Sequence, residues 1–389
     1  MKKLIFIVFT LIIFFSLITC NNAPRKGADN TASARETTSN DPKRITINKN
    51  EFAVSGKRIW INGANTPWNS WNDFGGNYNN QWWDDHFYEL RLSGINSTRV
   101  WINCNNDNGA ITLDNNGMVT DVSKKHWEDL DKFFEVARKH EIYIMATLLS
   151  FDHFKSWEKI KWQRMLKSKE AAQSFAENYT IPFVKRYGNN PYLWSVDLCN
   201  EPDWIHEDKD CGNIAWNHMT YFFAVNAAAV HENSEVLVTV GMGFPKYNAD
   251  GAAYEGNKVS DASLQRQYNN PNAFLDFWSP HYYDWVGKWY GVPFYISPYG
   301  QFPGGYGMNN SKPAVIGECA AKGSAGDTPG TKDNTILTDY LKAFENGWQG
   351  VMAWTSNGVD QCGDIADMEV ATMYMEKNYK ELIYPLGKK

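Results

Sequence analysis

The chain has 389 residues and a net charge of −6, from 38 Lys and Arg against 44 Asp and Glu. Hydrophobic residues make up 43% and charged residues 21%, which is typical of a globular protein and excludes a disordered chain or a disulfide-stapled miniprotein. The acidic balance provides no overall basic field, so we expect no nucleic-acid partner. The chain contains 17 Trp and 20 Tyr, whose rings carry a polar N–H or O–H group. A hydrophobic core rarely needs so many of them, so we expect some to have a role besides packing.

The N-terminus has the pattern of a targeting segment. Lys2 and Lys3 precede an apolar run, residues 4–15, that is too short to span a bilayer but suits a signal peptide. Leu-Ile-Thr-Cys at 17–20 resembles the signal of bacterial lipoproteins, which implies that Cys20 becomes the lipidated first residue; an ordinary secretory signal is the alternative. Asn21 and Asn22 follow in place of the Asp of an inner-membrane retention signal. We therefore predict an exported protein at the outer membrane, at the cell surface or in the medium.

The next segment, 21–43, is small, polar and aperiodic, and it predicts a flexible tether. With residues 1–20 as signal peptide, this leaves 44–389 as one folded domain. A lipid would be its only membrane link, and we expect a monomer.

The remaining cysteines predict no metal site. Five are left after Cys20, so at least one thiol is unpaired, and no Cys-x-x-Cys spacing indicates zinc. Cys199 and Cys319 lie in strand-like segments, where buried packing is the ordinary interpretation.

After a leading segment, 45–59, eight short β-like runs recur. They are Trp60–Asn65, Asn96–Ile102, Ile142–Leu149, Leu193–Cys199, Val236–Gly241, Phe277–Tyr282, Ala314–Glu318 and Gly350–Trp354. Helical patterns fall between them at Trp82–Ser93, His126–His140, Lys167–Tyr187, Trp216–Asn233 and Asn334–Asn346. Each interval has room for the crossover that parallel strands require.

This alternation predicts an α/β protein with a (β/α)8 TIM barrel. Several runs are apolar on both faces, as expected for strands covered by helices. A doubly wound sheet is the alternative, but no Gly-x-Gly-x-x-Gly follows the first run, which argues against a dinucleotide site.

The active site of such a barrel lies at the C-terminal ends of its strands. Those ends carry two Glu carboxylates and one Asp, one fixed cation, several donors and many rings: Asn65, Arg99 with Trp101, Ser150 to His153, Asn200-Glu201, Gly241 to Phe244, His281 to Tyr283, Glu318 and Trp354. They lack a Ser/His/Asp order, a phosphate loop and a metal-binding set of two histidines with a carboxylate. Two carboxylates facing each other across a pocket are what glycosidic bond cleavage requires.

Each candidate also has an ordinary interpretation. Asn200-Glu201-Pro202 could be a turn, Glu318 one of 44 acids, and Trp354 a core residue. The two Glu residues, however, end the fourth and seventh runs, which lie almost opposite each other in a barrel. Arg99 ends an apolar strand, where a buried charge needs a partner. Five further Trp residues in or beside the loops have either a packing or a sugar-stacking role: Trp68, Trp71, Trp101, Trp204 and Trp285.

Together these residues resemble glycoside hydrolase clan A, and within it family 5, the family of endo-β-mannanases and endo-β-glucanases. The resemblance covers Arg44 to Leu386. It rests on five motifs in order: Ser-Thr-Arg99-Val, Asn200-Glu201-Pro202, His281-x-Tyr283, Ala-Val-Ile-Gly-Glu318 and Trp354.

The resemblance implies a retaining reaction with Glu318 as nucleophile and Glu201 as acid and base. It also implies that Asn200 binds the sugar's 2-hydroxyl, that Arg99 and Tyr283 hold Glu318 ionised, and that His281 orients Glu201 or the sugar. Trp68, Trp101 and Trp354 are the expected sugar-binding rings. No cofactor and no metal are expected, because two carboxylates and water suffice.

The substrate prediction is a β-1,4-linked plant polysaccharide, with mannan or glucomannan favoured over cellulose. Many cellulases of the family carry a His at the end of the third strand, where this chain has Leu149-Ser150 with Asp152-His153 beyond. Cys319-Ala320 also replaces the family's usual aromatic-Gly pair after the nucleophile.

Three other interpretations stay open. The first is an endo-β-1,4-glucanase, and the second is a surface lipoprotein that binds glycan without cleaving it. The third is a calcium site in the oxygen-rich run 103–108, but this run lacks the spacing of a calcium loop, so we interpret it as a solvated loop.

Overall fold

A computed structural model of the chain describes residues 36–250, 255–284, 300–324 and 333–388. Its strands are β1 (Ile45–Asn48), β2 (Glu51–Val54), β3 (Lys57–Arg58), β4 (Ile61–Asn65), β5 (Ser97–Trp101), β6 (Ile111–Leu113), β7 (Val119–Val122), β8 (Tyr143–Thr147), β9 (Leu193–Asn200), β10 (Leu237–Met242), β11 (Ser279–Tyr282), β12 (Ile316–Ala320) and β13 (Gly350–Trp354). Eight of them, β4, β5 and β8 to β13, close into one parallel barrel. The predicted TIM barrel is confirmed, and each predicted run supplies one barrel strand.

Helices follow the barrel strands in the described chain. They are α1 (Asn80–Leu92), α2 (Lys124–His140), α3 (Lys159–Lys167), α4 (Lys169–Phe175), α5 (Ile181–Tyr187), α6 (Pro202–Glu207), α7 (Trp216–Asn233), α8 (Asp261–Gln267), α9 (Ile336–Glu345), α10 (Ile365–Asn378) and α11 (Lys380–Ile383). The predicted helix Lys167–Tyr187 is divided at its start, because the Ser168 side chain caps α4 by accepting the Ala171 N–H. The sequence did not predict α3, α6, α8, α10 or α11.

The leading segment forms a small antiparallel sheet, β1 to β3, that closes the N-terminal end of the barrel. Phe52 of β2 packs edge-on against Trp194 and Phe277, with ring centroids 5.3 Å away in each case. Trp194 lies at the start of β9, and Phe277 lies in the segment just before β11. Because the small sheet covers this end, the C-terminal end of the barrel is the accessible one.

Part of the predicted tether falls within the described chain. The Thr37 N–H donates to the Ile47 carbonyl at 3.0 Å, and the Tyr143 hydroxyl donates to the Lys43 carbonyl at 2.6 Å. Cys20 and the predicted signal peptide lie outside the described residues, so both stay predictions. Within the described ranges, no helix combines the length and the apolar character needed to cross a bilayer.

Candidate active site

A cavity of about 520 Å³ opens at the C-terminal end of the barrel. Its volume lies in the ordinary range for ligand pockets. Most of the side chains that line it are acidic, amide or aromatic, and they come from strands β5, β9, β12 and β13 and from the loops after β4, β8, β9, β11 and β13: Trp68, Trp71, Trp101, Phe151, Asp152, Asn200, Glu201, Tyr283, Glu318, Trp354, Asp360 and Cys362. The cavity therefore gathers side chains that are far apart in sequence.

Glu201 and Glu318 face each other in this cavity. One carboxylate oxygen of each and a ring nitrogen of His281 all lie within 4.8 Å of one another. Retaining glycosidases hold their two carboxyl groups about 5 to 5.5 Å apart, whereas inverting enzymes need about 6.5 to 9.5 Å to admit a water. An oxygen-to-oxygen distance of at most 4.8 Å is shorter than an inverting pair requires, and it fits the retaining arrangement.

Glu318 is the more strongly hydrogen-bonded of the two. Its side chain is almost fully buried, Arg99 Nη1 donates to Oε1 at 2.6 Å, and the Tyr283 hydroxyl donates to Oε2 at 2.9 Å. Burial raises the pKa of Glu318, while His281, the Arg99 charge and the Tyr283 hydroxyl oppose that rise. A guanidinium in direct contact favours the ionised carboxylate that a nucleophile needs.

Arg99 is fully buried and uses every donor of its guanidinium. Nε and Nη2 both donate to Asp197 Oδ2, at 2.9 and 2.7 Å, and Nη2 also donates to Asn200 Oδ1 at 2.8 Å. Nη1 reaches Asn65 Oδ1 at 3.2 Å besides Glu318. Burial lowers the pKa of Arg99, but the charges of Asp197 and Glu318 outweigh it and raise this pKa overall. Arg99 is thus a permanent cation with a fixed orientation.

Asp197 is a buried residue of this site that the sequence reasoning missed. Besides Arg99, it accepts hydrogen bonds from the Thr147 hydroxyl at 3.1 Å, the Cys199 N–H at 3.2 Å and the Gly241 N–H at 2.8 Å. An acid inside an otherwise apolar strand is the signal that could have revealed it, because a buried charge needs a partner.

Gly241 has no side chain, which allows Arg99, Asp197 and His281 to lie close to its backbone. A Cβ at this position would lie 2.8 Å from Arg99 Nη2, 2.9 Å from Asp197 Oδ2 and 3.0 Å from His281 Nε2. Its carbonyl also accepts the Glu201 N–H at 2.7 Å. Any other residue here would displace the guanidinium or the imidazole.

Glu201 lies at the turn from β9 into α6, with a left-handed backbone (φ 47°, ψ 57°). Trp204 Nε1 donates to its Oε2 at 2.9 Å, and His281 Nδ1 lies 2.9 Å from its Oε1. Burial raises the pKa of Glu201, while the Trp204 hydrogen bond and the more distant Arg99 charge oppose the rise. Its direct partners among the described residues, Trp204 and His281, carry no full positive charge, so the proton is held more tightly here than on Glu318.

His281 is buried and neutral. Burial lowers its pKa to about 4. Within the described chain, its Nε2 has no hydrogen-bond partner, so a proton there would be a buried unpaired donor. The tautomer that avoids this carries the proton on Nδ1 and donates it to Glu201.

Asn200 is positioned between Arg99 and the cavity. Its Oδ1 accepts from Arg99, and this fixes the amide so that Nδ2 is the donor end. Nδ2 makes one long contact, 3.5 Å to the Ser150 hydroxyl. A donor held in this way can bind a sugar hydroxyl beside the two carboxylates.

Four Trp rings form one wall of the cavity. Trp68 lies 4.6 Å from Trp71, 4.9 Å from Trp101 and 6.2 Å from Trp354 between ring centroids. Trp101 and Trp354 are nearly buried, whereas Trp71 is 37% exposed. A wall of rings provides flat apolar surfaces for stacking.

The two other Trp residues named from the sequence are not part of this wall. Trp204 donates a hydrogen bond to Glu201, so it acts on a carboxylate of the site. Trp285 lies outside the described residues, and its role stays a prediction.

The loop after the third barrel strand, β8, places Ser150 and Asp152 in this region, while His153 points away from the cavity. His153 is fully buried, its Nδ1 accepts the Ser150 N–H at 3.1 Å, and its Nε2 lies 2.9 Å from Asn103 Oδ1. Burial lowers its pKa to about 3. His153 therefore supports the loop and does not line the cavity.

The run 103–108 is not the solvated loop that we expected. Its first four residues are buried, and the amides of Asn103 and Asn106 bond neighbouring loop groups. Trp71 Nε1 donates to Asn105 Oδ1 at 3.0 Å, and Asn72 Nδ2 donates to the same oxygen at 2.7 Å. The Asn side chains supply the hydrogen bonds that two irregular backbones cannot make with each other.

Glu201, His281 and Glu318 have the spacing of a metal cluster. Arg99 and Tyr283, however, already donate to both oxygens of Glu318, and the guanidinium repels a second cation. The geometry therefore suits proton transfer and nucleophilic attack by carboxylates better than metal binding.

Five cysteines lie in the described chain, and among them only Cys362 is exposed. Cys199 and Cys319 are buried in β9 and β12, which confirms the packing interpretation made from the sequence.

Comparisons with known proteins found sequence relatives that share one enzyme name. No protein-family model matches the chain. The chain is 24% identical over 344 residues to a mannan endo-1,4-beta-mannosidase of Cryptopygus antarcticus, covering 80% of this chain and 84% of the relative. It is 23% identical over 330 residues to one of Mytilus edulis, covering 78% and 87% respectively.

Solved structures give the same fold. The beta-mannanase of Mytilus edulis superimposes with a TM-score of 0.73 at 21% identity, covering 87% of this chain and 98% of that one. The endo-1,4-beta-mannanase of Eisenia fetida gives a TM-score of 0.72 at 20% identity, covering 85% and 95%. These likenesses extend over nearly the whole of each solved chain.

Proposed function

We propose that the protein is a family 5-like, retaining endo-β-1,4-mannanase that hydrolyses mannan or glucomannan. The observation that carries the proposal is the opposed pair Glu201 and Glu318 at a retaining separation, with a fixed cation on Glu318 only. The sequence relatives are named mannan endo-1,4-beta-mannosidases, which favours mannan over the endo-β-1,4-glucanase alternative.

In the first step, a Glu318 oxygen attacks the anomeric carbon and forms a covalent glycosyl–enzyme ester. Glu201 gives its proton to the departing glycosidic oxygen, so the leaving chain departs as a neutral alcohol. In the second step, Glu201 accepts a proton from water as the water oxygen attacks the anomeric carbon. The bond between the anomeric carbon and Glu318 breaks as the water attacks, and Glu318 is again a carboxylate.

The surroundings of each carboxylate support its role. Arg99 and Tyr283 stabilise the charge on Glu318, and neutral His281 orients Glu201 without removing its proton. Asn200 Nδ2 would donate to the 2-hydroxyl of the sugar, a bond that strengthens in the transition state. Every proton and electron pair is supplied by the two carboxylates and water, so the reaction includes no cofactor.

Reducing-sugar release by the purified protein tests this proposal. Galactomannan, glucomannan, carboxymethylcellulose, lichenan and xylan form the panel, and Glu318→Gln, which keeps the shape of the side chain, is the blank. We expect activity on both mannans and none on carboxymethylcellulose. Activity mainly on carboxymethylcellulose or lichenan would make the protein a glucanase, and binding without any cleavage would support the glycan-binding alternative.

We further propose that Cys20 carries a lipid and that the enzyme acts at the outer membrane or cell surface. The charged start, the apolar run and the Leu-Ile-Thr-Cys sequence support this. Metabolic labelling with a fatty acid tests it, because Cys20→Ala should abolish the label. Equal labelling of the two proteins would contradict the proposal.

A further inference from the structure

Beside Asn200, a short relay of side chains leads to a carboxylate that the proposed mechanism does not use. Asn200 Nδ2 donates to the Ser150 hydroxyl at 3.5 Å, and the Ser150 hydroxyl donates to Asp152 Oδ2 at 2.6 Å. Ser150, in the loop after β8, also forms an isolated parallel bridge with Asn200, the last residue of β9. The relay is therefore anchored to the backbone of the catalytic strand.

Asp152 is held in one orientation and lines the cavity together with Asn200 and Glu201. Its neighbour His153 fixes the turn by accepting the Ser150 N–H. Within the described chain, no other residue donates to Oδ1 of Asp152, whereas Oδ2 is occupied by Ser150. Asp152 thus offers the cavity a fixed acceptor.

The charges around Asp152 are few. Burial raises its pKa to about 6; Glu201 contributes to the rise, while the Ser150 hydroxyl and the Lys155 ammonium oppose it. Lys155 itself pairs with Asp208 at 2.9 Å, so it does not occupy the carboxylate. An acceptor left without a protein donor at a pocket wall is a place where a ligand hydroxyl can bind.

We propose that Asp152, positioned by Ser150, accepts a hydrogen bond from the C2 hydroxyl of the sugar bound over Asn200 and thereby selects mannose over glucose at the cleavage point. The two sugars differ in the orientation of that one hydroxyl, which is axial in mannose. Asn200 and Asp152 approach the same sugar edge from neighbouring strands, so one can bind the hydroxyl's oxygen while the other accepts its hydrogen. The inference rests on the proposed mannanase function and assigns the residue that sets its specificity.

A glucomannan digest tests this directly, because that polymer offers both sugars to the same site. Borohydride reduction of the products followed by acid hydrolysis gives mannitol or glucitol, according to which sugar occupied the cleavage point. We expect mainly mannitol from the wild type. Asp152→Ala should raise the glucitol fraction and lower kcat/KM on mannohexaose by about 10- to 100-fold, the loss expected for one hydrogen bond to a charged group.

Asp360→Ala is the matched control, since this exposed acid lines the same cavity from the loop after β13. It should leave the mannitol-to-glucitol ratio unchanged. Ser150→Ala should shift the ratio in the same direction as Asp152→Ala but less, because the carboxylate stays and only its positioning is lost. Asp152→Asn removes the charge of the carboxylate and preserves the shape of the side chain, so it separates the two contributions.

The outcomes separate the two proposals. If the wild type cleaves mannohexaose and the ratio is the same for Asp152→Ala, Asp152→Asn and wild type, the specificity role of Asp152 is overturned while the mannanase function stands. If the wild type cleaves no mannan, the function itself is wrong, and the specificity role fails with it.

Discussion

Replacing Asp197 by Asn tests the buried ion network beneath the active site. Both oxygens of Asp197 accept hydrogen bonds: Oδ2 from Arg99 and Thr147, and Oδ1 from the Cys199 and Gly241 N–H groups. An Asn side chain has one acceptor and one donor end. In either orientation, its NH2 group therefore faces donors.

The magnitude follows from those contacts. With the amide NH2 towards Arg99, two charge-assisted hydrogen bonds are lost, at about 1.5 to 3 kcal/mol each. With the amide reversed, two buried backbone N–H groups lose their acceptor, at about 1 to 3 kcal/mol each. Within the described chain, Arg99 is also left with Glu318 as its only direct counter-charge. We expect a loss of about 3 to 5 kcal/mol in the free energy of unfolding, in the range for breaking a buried ion pair.

Urea unfolding at pH 7 measures this loss, and kinetics on mannohexaose give its effect on turnover. We expect kcat to fall at least about tenfold in the folded variant, because Arg99 is no longer held against Glu318. Asp339→Asn is the control, since Asp339 is equally buried but bonds Ser324 in another part of the fold. It should cost stability and leave kcat unchanged. An Asp197→Asn protein within about 1 kcal/mol of wild type, with kcat/KM within about threefold, would refute the reasoning.

Three further predictions concern single side chains of the cavity. Tyr283→Phe removes one hydrogen bond to Glu318 and should lower kcat by about 10- to 100-fold with KM nearly unchanged; an equal change in KM would indicate a binding role instead. Trp354→Ala should lower kcat/KM by about tenfold through lost stacking, and an unchanged value would make Trp354 a packing residue. Because Glu201 must be protonated and burial raises its pKa, activity should fall as pH rises through a value above the ordinary Glu range. Glu201→Gln, assayed on an aryl mannobioside whose leaving group needs no proton, should no longer show this fall in activity at high pH. If the fall remains, it is caused by the titration of another group.

The barrel was predictable because its signals are local. Apolar runs that recur about once per βα unit predict parallel strands. The last residues of those runs predict which side chains meet at the C-terminal end of the barrel, where the active site lies. Glu201, His281 and Glu318 could be named in this way, since each lies at or beside the end of a run. Arg99 lies in the middle of β5 and was found as a charge within an apolar strand.

The remaining features depend on contacts between distant segments. Trp204 donates to Glu201 across a turn in which Glu201 adopts a left-handed backbone, and no residue pattern indicates that turn. The run 103–108 is polar in composition, yet most of it is buried because its amides bond the distant loop that carries Trp71 and Asn72. Asp197 was missed although it carries the same signal as Arg99, a charge within a buried strand, two barrel positions away on β9.

The stereochemistry of hydrolysis tests the central claim most directly. Proton NMR of mannohexaose cleavage, recorded within the first minutes, distinguishes the anomer that is formed first from the one that appears by mutarotation. A double displacement through Glu318 predicts the β-anomer first, because the configuration is inverted twice. Initial appearance of the α-anomer would mean a single displacement by water, and it would contradict the role of Glu318 as nucleophile.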